Sequence, residues 1–405
     1  MSGKPSTPTR AEGARSRLPS LTGMRFIAAV MVFLFHGVLY AGLFADATAQ
    51  GTLGAVVSGG GWAGVTFFFI LSGFVLAWSS RSTDTVTRFW RRRIFKIFPN
   101  HLFATVIAFV LLVTVMGAAL TGGAVAMNVL LLHSWVPDFQ VLFAGNVVSW
   151  TLSCELLFYL AFPFIMPLVN RIRPERLWYW AGALVVAVWL VPSVAAAIPP
   201  AQALAAPVAL PVIDMTMWQQ WFVALFPPAR LFEFVFGMVL ARVVITGRAV
   251  PVSLGGAVAV AIAAYALTPL FPGEYRVAAT MALPLGLVIA AGAKVDVAGQ
   301  GGWLSRRTMV FLGDVSFAFY ICHWLVIDYG HKLIGAESTF ATPLALLVLA
   351  GLFAAAVAIA SGMFLFMEKP IMDNFSVAKR HRRLAAVPST PTADRSAGAP
   401  DRLAG

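Results

Sequence analysis

LTGMRFIAAVMVFLFH, residues 21–36, lies in the first long apolar stretch of the chain and carries two ionisable side chains, Arg25 and His36, eleven positions apart. Eleven positions of an α-helix make almost three turns, so the two side chains share one face about 16 Å apart. This spacing puts Arg25 near a membrane surface and His36 near mid-bilayer. Ionisable groups at membrane depth are costly and face a protein interior or a water-filled cavity. An anion binder at the rim and a titratable base in the depth make a site for chemistry on an anionic substrate. The plainer alternative for His36 is a histidine that only bonds a neighbouring helix.

Composition extends this reading to the whole chain. Its 405 residues are 60% hydrophobic and 11% charged, with mean hydropathy +0.83, the balance of an integral membrane protein. The formal net charge of +12 raises the question of nucleic acid. The basic residues, however, cluster in short segments between apolar spans, which is the pattern of membrane topology. Cys154 and Cys322 lie within apolar spans without CxxC spacing, so neither a disulfide nor a metal site is expected. A basic N-terminus, an apolar run and Ala45-Asp46-Ala47 imitate a cleavable secretory signal. The apolar run has the length of a span, and cleavage would discard Arg25 and His36, so it reads as a signal anchor.

Apolar spans at 24–44, 62–80, 98–119, 150–169, 178–197, 229–247, 251–271, 277–293, 310–330 and 342–366 predict an all-α polytopic bundle of about ten transmembrane helices. The apolar piece at 124–136 is too short to cross and reads as re-entrant or interfacial. Ten crossings from a cytoplasmic N-terminus leave only Arg230, Arg276 and Lys332, of 29 Lys and Arg, on the outer side. The positive-inside rule therefore places both termini in the cytoplasm. Residues 1–20 read as a flexible N-terminal tail, 21–375 as the transmembrane domain, and 376–405 as a basic flexible C-terminal tail.

Other polar residues fall inside or beside the spans. FWRRRIFKIFPNH (89–101) sets cations at the cytoplasmic threshold of the third span. Arg93 and Lys96, three apart, share a helix face and suit the phosphates of a donor such as coenzyme A; the plain reading is a positive-inside anchor. Glu155, in WTLSCELLFYLAF (150–162), needs a buried cation to pair with or a base to orient. Cys154 beside it reads as a packing residue. LGDVSFAFYICHWLVID (312–328) carries Asp314, His323 and Asp328, with His323 close in depth to His36, as a substrate contact or a structural bond. Arg230 and Glu233, three apart, suit each other. His133 to Asp138 and His323 to Asp328 match the H-x4-D pattern of glycerolipid acyltransferases, which needs a soluble catalytic fold around it. No G-x-S-x-G, Walker A or H-E-x-x-H string is present.

Seven strings in order, LTGMRFIAAVMVFLFH, GVTFFFILSGFVLA (64–77), RRRIFKIFP (91–99), WTLSCELLFY (150–159), RLFEFVFGMVLA (230–241), LGDVSFAFYICHW (312–324) and Glu368-Lys369-Pro370, resemble the acyltransferase-3 family of integral membrane acyltransferases. The resemblance implies transfer of a short acyl group, acetyl expected, from cytoplasmic acyl-CoA to a hydroxyl of a carbohydrate or secondary-metabolite acceptor. It implies the stand-alone form, without a C-terminal hydrolase-like domain, in the inner (cytoplasmic) membrane. The family's R-x10-H signature falls on Arg25 and His36, implying donor binding and a general base at His36. Its R-x-x-R falls on Arg93 and Lys96, where lysine keeps the charge but loses the bidentate fork. Its W-S-L-S-x-E glutamate falls on Glu155, with Thr151 in place of serine; Glu155 is expected to orient or charge-balance His36 or to position the acceptor from the outer side. The non-enzymatic alternative is a transporter of an anionic or lipid-linked solute. A cation cluster at one mouth only suits a donor that docks without passing through.

Overall fold

The computed structural model describes residues 17–81, 84–197, 215–335 and 338–375; most of the two expected tails lies outside them. In chain order the helices are α1 Pro19–Leu39, α2 Ala47–Ser79, α3 Val86–Thr114, α4 Gly122–Val129, α5 Phe139–Leu142, α6 Trp150–Arg171, α7 Leu177–Ala197, α8 Met217–Gln220, α9 Pro227–Ile245, α10 Leu254–Leu267, α11 Ala279–Val297, α12 Arg307–Gly335, α13 Thr342–Met363 and α14 Lys369–Phe375. Among the described residues, nine helical stretches are long and apolar enough to cross a membrane, and a shorter one, Leu254–Leu270, holds the place of the tenth.

Contacts at the helix ends show that this shorter helix also crosses. One face of the bundle gathers the start of α1, the end of α2, the start of α3, the ends of α6 and α9 and the start of α12 around one open cavity. The end of α11 joins them through Asp296, which accepts from the Ser20 amide at 2.9 Å. At the same face, Arg248 meets Glu175 at 3.2 Å and Trp178 donates to the Ala249 carbonyl, so α10 starts there. It ends on the opposite, far face, where Thr268 bonds Thr280 at the start of α11 and Tyr265 bonds the Val56 carbonyl near the start of α2. Ten crossings follow, with the two described chain ends on the same face; Arg91 holds the Phe375 carbonyl there at 3.0 Å. As expected, α4 and the 3-10 turn His133–Trp135 after it do not cross.

Element bounds differ from the hydropathy pattern where helices outrun the apolar core. α2 begins at Ala47, well before the expected 62, because Asp46 caps it by accepting from the Thr48 and Ala49 amides. Gln50 then ties its first turns to the Val38 carbonyl. α3 begins at Val86 on the Thr85 cap, well before the expected 98, and Pro99 lies inside it. Interior proline is tolerated in membrane helices because neighbouring groups satisfy the freed carbonyl. α2 and α9 cross at backbone distance: a Cβ on Gly73 would strike the Phe234 carbonyl, and one on Gly237 the Ile70 carbonyl. Small residues permit such an approach.

The first helix lacks a cap of its own, since Leu18 offers no side-chain acceptor. Asp296 supplies one from the end of α11, accepting from Ser20 and Leu21, two of the orphan amides of the first turn. Asp296→Ala is expected to cost about 1–2 kcal/mol, read as a fall of a few degrees in the thermal midpoint of detergent-solubilised protein. An unchanged midpoint would mean that water caps the helix equally well.

Candidate active site

The face shared by Arg25 and His36 on α1 is real, but the two ends of that face meet different surroundings. His36 stands in the last turn of α1. Across from it, midway along α12, is His323, fully buried. His323 Nδ1 lies 2.6 Å from the Tyr320 carbonyl; a carbonyl only accepts, so Nδ1 carries the proton and Nε2 keeps its lone pair. His36 Nδ1 lies 2.9 Å from the Val32 carbonyl and 3.2 Å from His323 Nε2. Both are acceptors, so His36 Nδ1 is also the protonated nitrogen. The lone pair of His36 Nε2 is left without a partner among the described residues, on a side chain that is only half-buried. Phe35, Trp324 and Tyr40 wall this nitrogen's ring, with centroids 5.0, 5.3 and 6.0 Å away.

At the opposite face the open cavity has a volume of about 1320 Å³. Arg17, Arg25, Arg81, Arg92, Arg93 and Arg242 line it against two carboxylates, Asp84 and Asp314. Asp84 is taken by Arg92 in a bidentate pair, 3.0 and 2.6 Å. No ion pair engages Arg25 or Arg93 among the described residues. The Arg93 guanidinium lies between the Phe89 and Tyr159 rings, 5.5 and 5.7 Å from their centroids, and its buried Nε has no partner among the described residues. Two unpaired guanidinium groups, one stacked between rings and pre-ordered, suit bidentate capture of phosphate oxygens.

Lys96 stands apart from them. Its ammonium pairs with Glu368, which also accepts from Asn100 Nδ2 at 2.5 Å, and Lys96 does not line the cavity. A widened π-helical turn, Phe364–Glu368, delivers this carboxylate from the end of α13. Sequence alone singled out Glu368 only as part of a family string, because its partner lies 272 positions away.

Glu155 does not touch His36. It accepts from the Tyr159 hydroxyl at 3.0 Å, and Arg25, Lys96 and Arg93 are the cations within its electrostatic reach. Tyr320 is within reach of Glu155 as well, and its ring lies 5.5 Å from that of His323. Glu155 thus lies between the arginines of the cavity and the histidine pair, and orients neither imidazole directly.

The remaining candidates are structural. Arg230 and Glu233 pair at 2.5 and 2.9 Å, as their spacing predicts, and Arg230 also donates to the Ala224 carbonyl and to Thr66. Neither H-x4-D string forms a His–Asp pair. His133 bonds Ser149, while Asp138 holds the Gln140 and Val141 amides; burial, with His101 nearby, pushes the His133 imidazole down to about 4. Asp328 pairs with Lys332. Cys154 and Cys322 are both buried and free.

Comparison with known proteins adds an independent line. A family model described as an acyltransferase domain matches residues 18–363. The acyltransferase MdmB of Streptomyces mycarofaciens is 39% identical over 384 residues, covering 93% of this chain and 96% of that protein. No solved structure matches.

Proposed function

The chain belongs to the acyltransferase-3 family of membrane acyltransferases, and on that premise we propose that it carries a short acyl group, acetyl foremost, from cytoplasmic acyl-CoA to a hydroxyl of a carbohydrate or secondary-metabolite acceptor. The observation that carries the reading is the bare Nε2 of His36, a neutral nitrogen with its lone pair free beside an aromatic wall. Arg25 and Arg93 hold the donor's phosphates in the basic cavity, and the thioester arm runs inward past Glu155. The acceptor hydroxyl gives its proton to His36 Nε2 as its oxygen attacks the thioester carbonyl. The carbon–sulfur bond then breaks, and the leaving thiolate takes the proton back from Nε2. Atoms and charge balance with no further reactant.

The positive-inside rule supports a cytoplasmic position for the arginine-rich face and thus for both chain ends, in the inner membrane. Arg230, Arg276 and Lys332 then sit at outward ends of α9, α11 and α12, as the span pattern predicts. Single cysteines in a Cys-free background are expected to react from the cytoplasmic side at 172–176 and from outside at 272–276; the reverse labelling would overturn this orientation. The function itself is tested with purified protein in lipid nanodiscs. Release of free thiol from acetyl-CoA, with matching acyl transfer onto a glycoside or a macrolide alcohol, is the expected result. Absence of transfer from acetyl-, propionyl- and butyryl-CoA to both acceptor classes would overturn it.

A further inference from the structure

A base that collects a proton in a membrane interior needs something to hold the resulting charge, and among the described residues the usual partner, a carboxylate, does not bond His36. Among the described residues His36 is bonded to the Val32 carbonyl and to His323, and no carboxylate forms an ion pair or hydrogen bond with it. Glu155 is committed to Tyr159, and Asp328, on the same helix as His323, is committed to Lys332. What faces the protonated nitrogen of His36 is a second imidazole.

We propose that His323 is a positioning residue for the transfer reaction, which acts through His36 by accepting its Nδ1–H and sharing the proton that His36 gains. This inference rests on the assignment of His36 as the base. The geometry is that of a relay with one imidazole in the place of the triad's acid. The Tyr320 carbonyl fixes His323 Nδ1–H at 2.6 Å, so its Nε2 lone pair has to face the 3.2 Å contact to His36 Nδ1. The ring is fully buried and stacked on Phe319 at 6.1 Å and 15°, with Phe33 on another side at 6.5 Å. It therefore has little freedom to turn away. When His36 Nε2 is protonated, the Nδ1–H of the imidazolium becomes a charged donor, and charge-assisted hydrogen bonds are roughly twice as strong as neutral ones. The Val32 carbonyl shares that donor, but only His323 can also take the proton itself. The buried position leaves no room for His323 to contact the acceptor, in contrast to the substrate-contact reading of its sequence position.

The test uses full-length protein in nanodiscs with acetyl-CoA as the probe, and compares wild type with His36→Ala, His323→Leu and His323→Gln. His323→Leu is expected to lower the turnover number for thiol release about 10- to 100-fold, within the range of one acid–base contribution. The KM for acetyl-CoA should stay unchanged. His323→Gln, which restores an acceptor oxygen, should recover most of the loss. A second readout needs no acceptor: diethyl pyrocarbonate labels unprotonated imidazole nitrogens, and peptide mass mapping reports the site. Labelling is expected at His36 and not at His323 in wild type, several-fold slower at His36 in His323→Leu, and restored in His323→Gln. Unchanged labelling of His36 in His323→Leu, or a loss that appears in KM and is not rescued by Gln, would overturn the role of His323. A fully active His36→Ala would instead overturn the base assignment, so the two failures are distinguishable.

Discussion

Replacement of His36 by alanine is expected to lower acyl transfer by about 10²- to 10⁴-fold while leaving the bundle folded. The folding half of this expectation follows from position. His36 is half-buried in the last turn of α1, and among the described residues its bonds are to the Val32 carbonyl one turn back and to His323. Removing it empties a small space at the far face and breaks no ion pair. The catalytic half follows from the free Nε2. The other described histidines are placed differently: His101 and His133 are buried in a separate polar cluster beside α4, and His331 is buried with its Nε2 on the Ser338 carbonyl. Turnover of acetyl-CoA and acceptor by equal amounts of purified protein, with a melting curve for each variant, checks both halves. A His36→Ala protein that keeps normal turnover would remove the base from this site.

At the other face, Arg25→Ala and Arg93→Ala are each expected to raise the KM for acetyl-CoA roughly ten-fold or more and to leave that for the acceptor nearly unchanged. A hydrogen bond to a charged group is worth about 1.5–3 kcal/mol; among the described residues neither arginine is held in an ion pair, and both lie within electrostatic reach of Glu155. Lys96 should behave differently. Because it neutralises the buried Glu368, Lys96→Ala leaves a carboxylate uncompensated, and the cost should appear in stability more than in donor affinity. A topology-anchor role for the same cluster predicts poor insertion and normal donor binding in the protein that survives. Donor titration on matched amounts of each variant separates the two, and unchanged affinity in both arginine variants would end the phosphate-clamp reading.

The candidate site was legible in unequal parts. Arg25 and His36 could be placed on one face because helical periodicity is a local property, fixed once the segment is a helix. Their environments could not. The Lys96–Glu368 pair and the His36–His323 contact join positions 272 and 287 apart, and a single sequence has no local signal for such a meeting. Arg242 reached the basic cavity only because the end of α9, packed against α2, lines the same space as the start of α1. Glu155 was singled out correctly as an intramembrane carboxylate that needs a partner, but that partner proved to be a tyrosine and a group of cations and not the histidine.

By itself the sequence determined that this chain is an all-α membrane bundle, how many times it crosses, and which few polar residues are costly enough to have a task. Those properties follow from the transfer of apolar segments out of water and from the requirement that every backbone group in lipid be satisfied within its own helix. Neither depends on which helix neighbours which. The tertiary structure alone decided that α1 borrows its cap from α11, and that two histidines share a proton-bearing contact while the expected acid stands elsewhere. In the bilayer interior there is no hydrophobic gain to rank one helix neighbour over another; close packing and polar contacts between helices do so. Those terms depend on side chains far apart in the chain, so they are settled only when the bundle assembles.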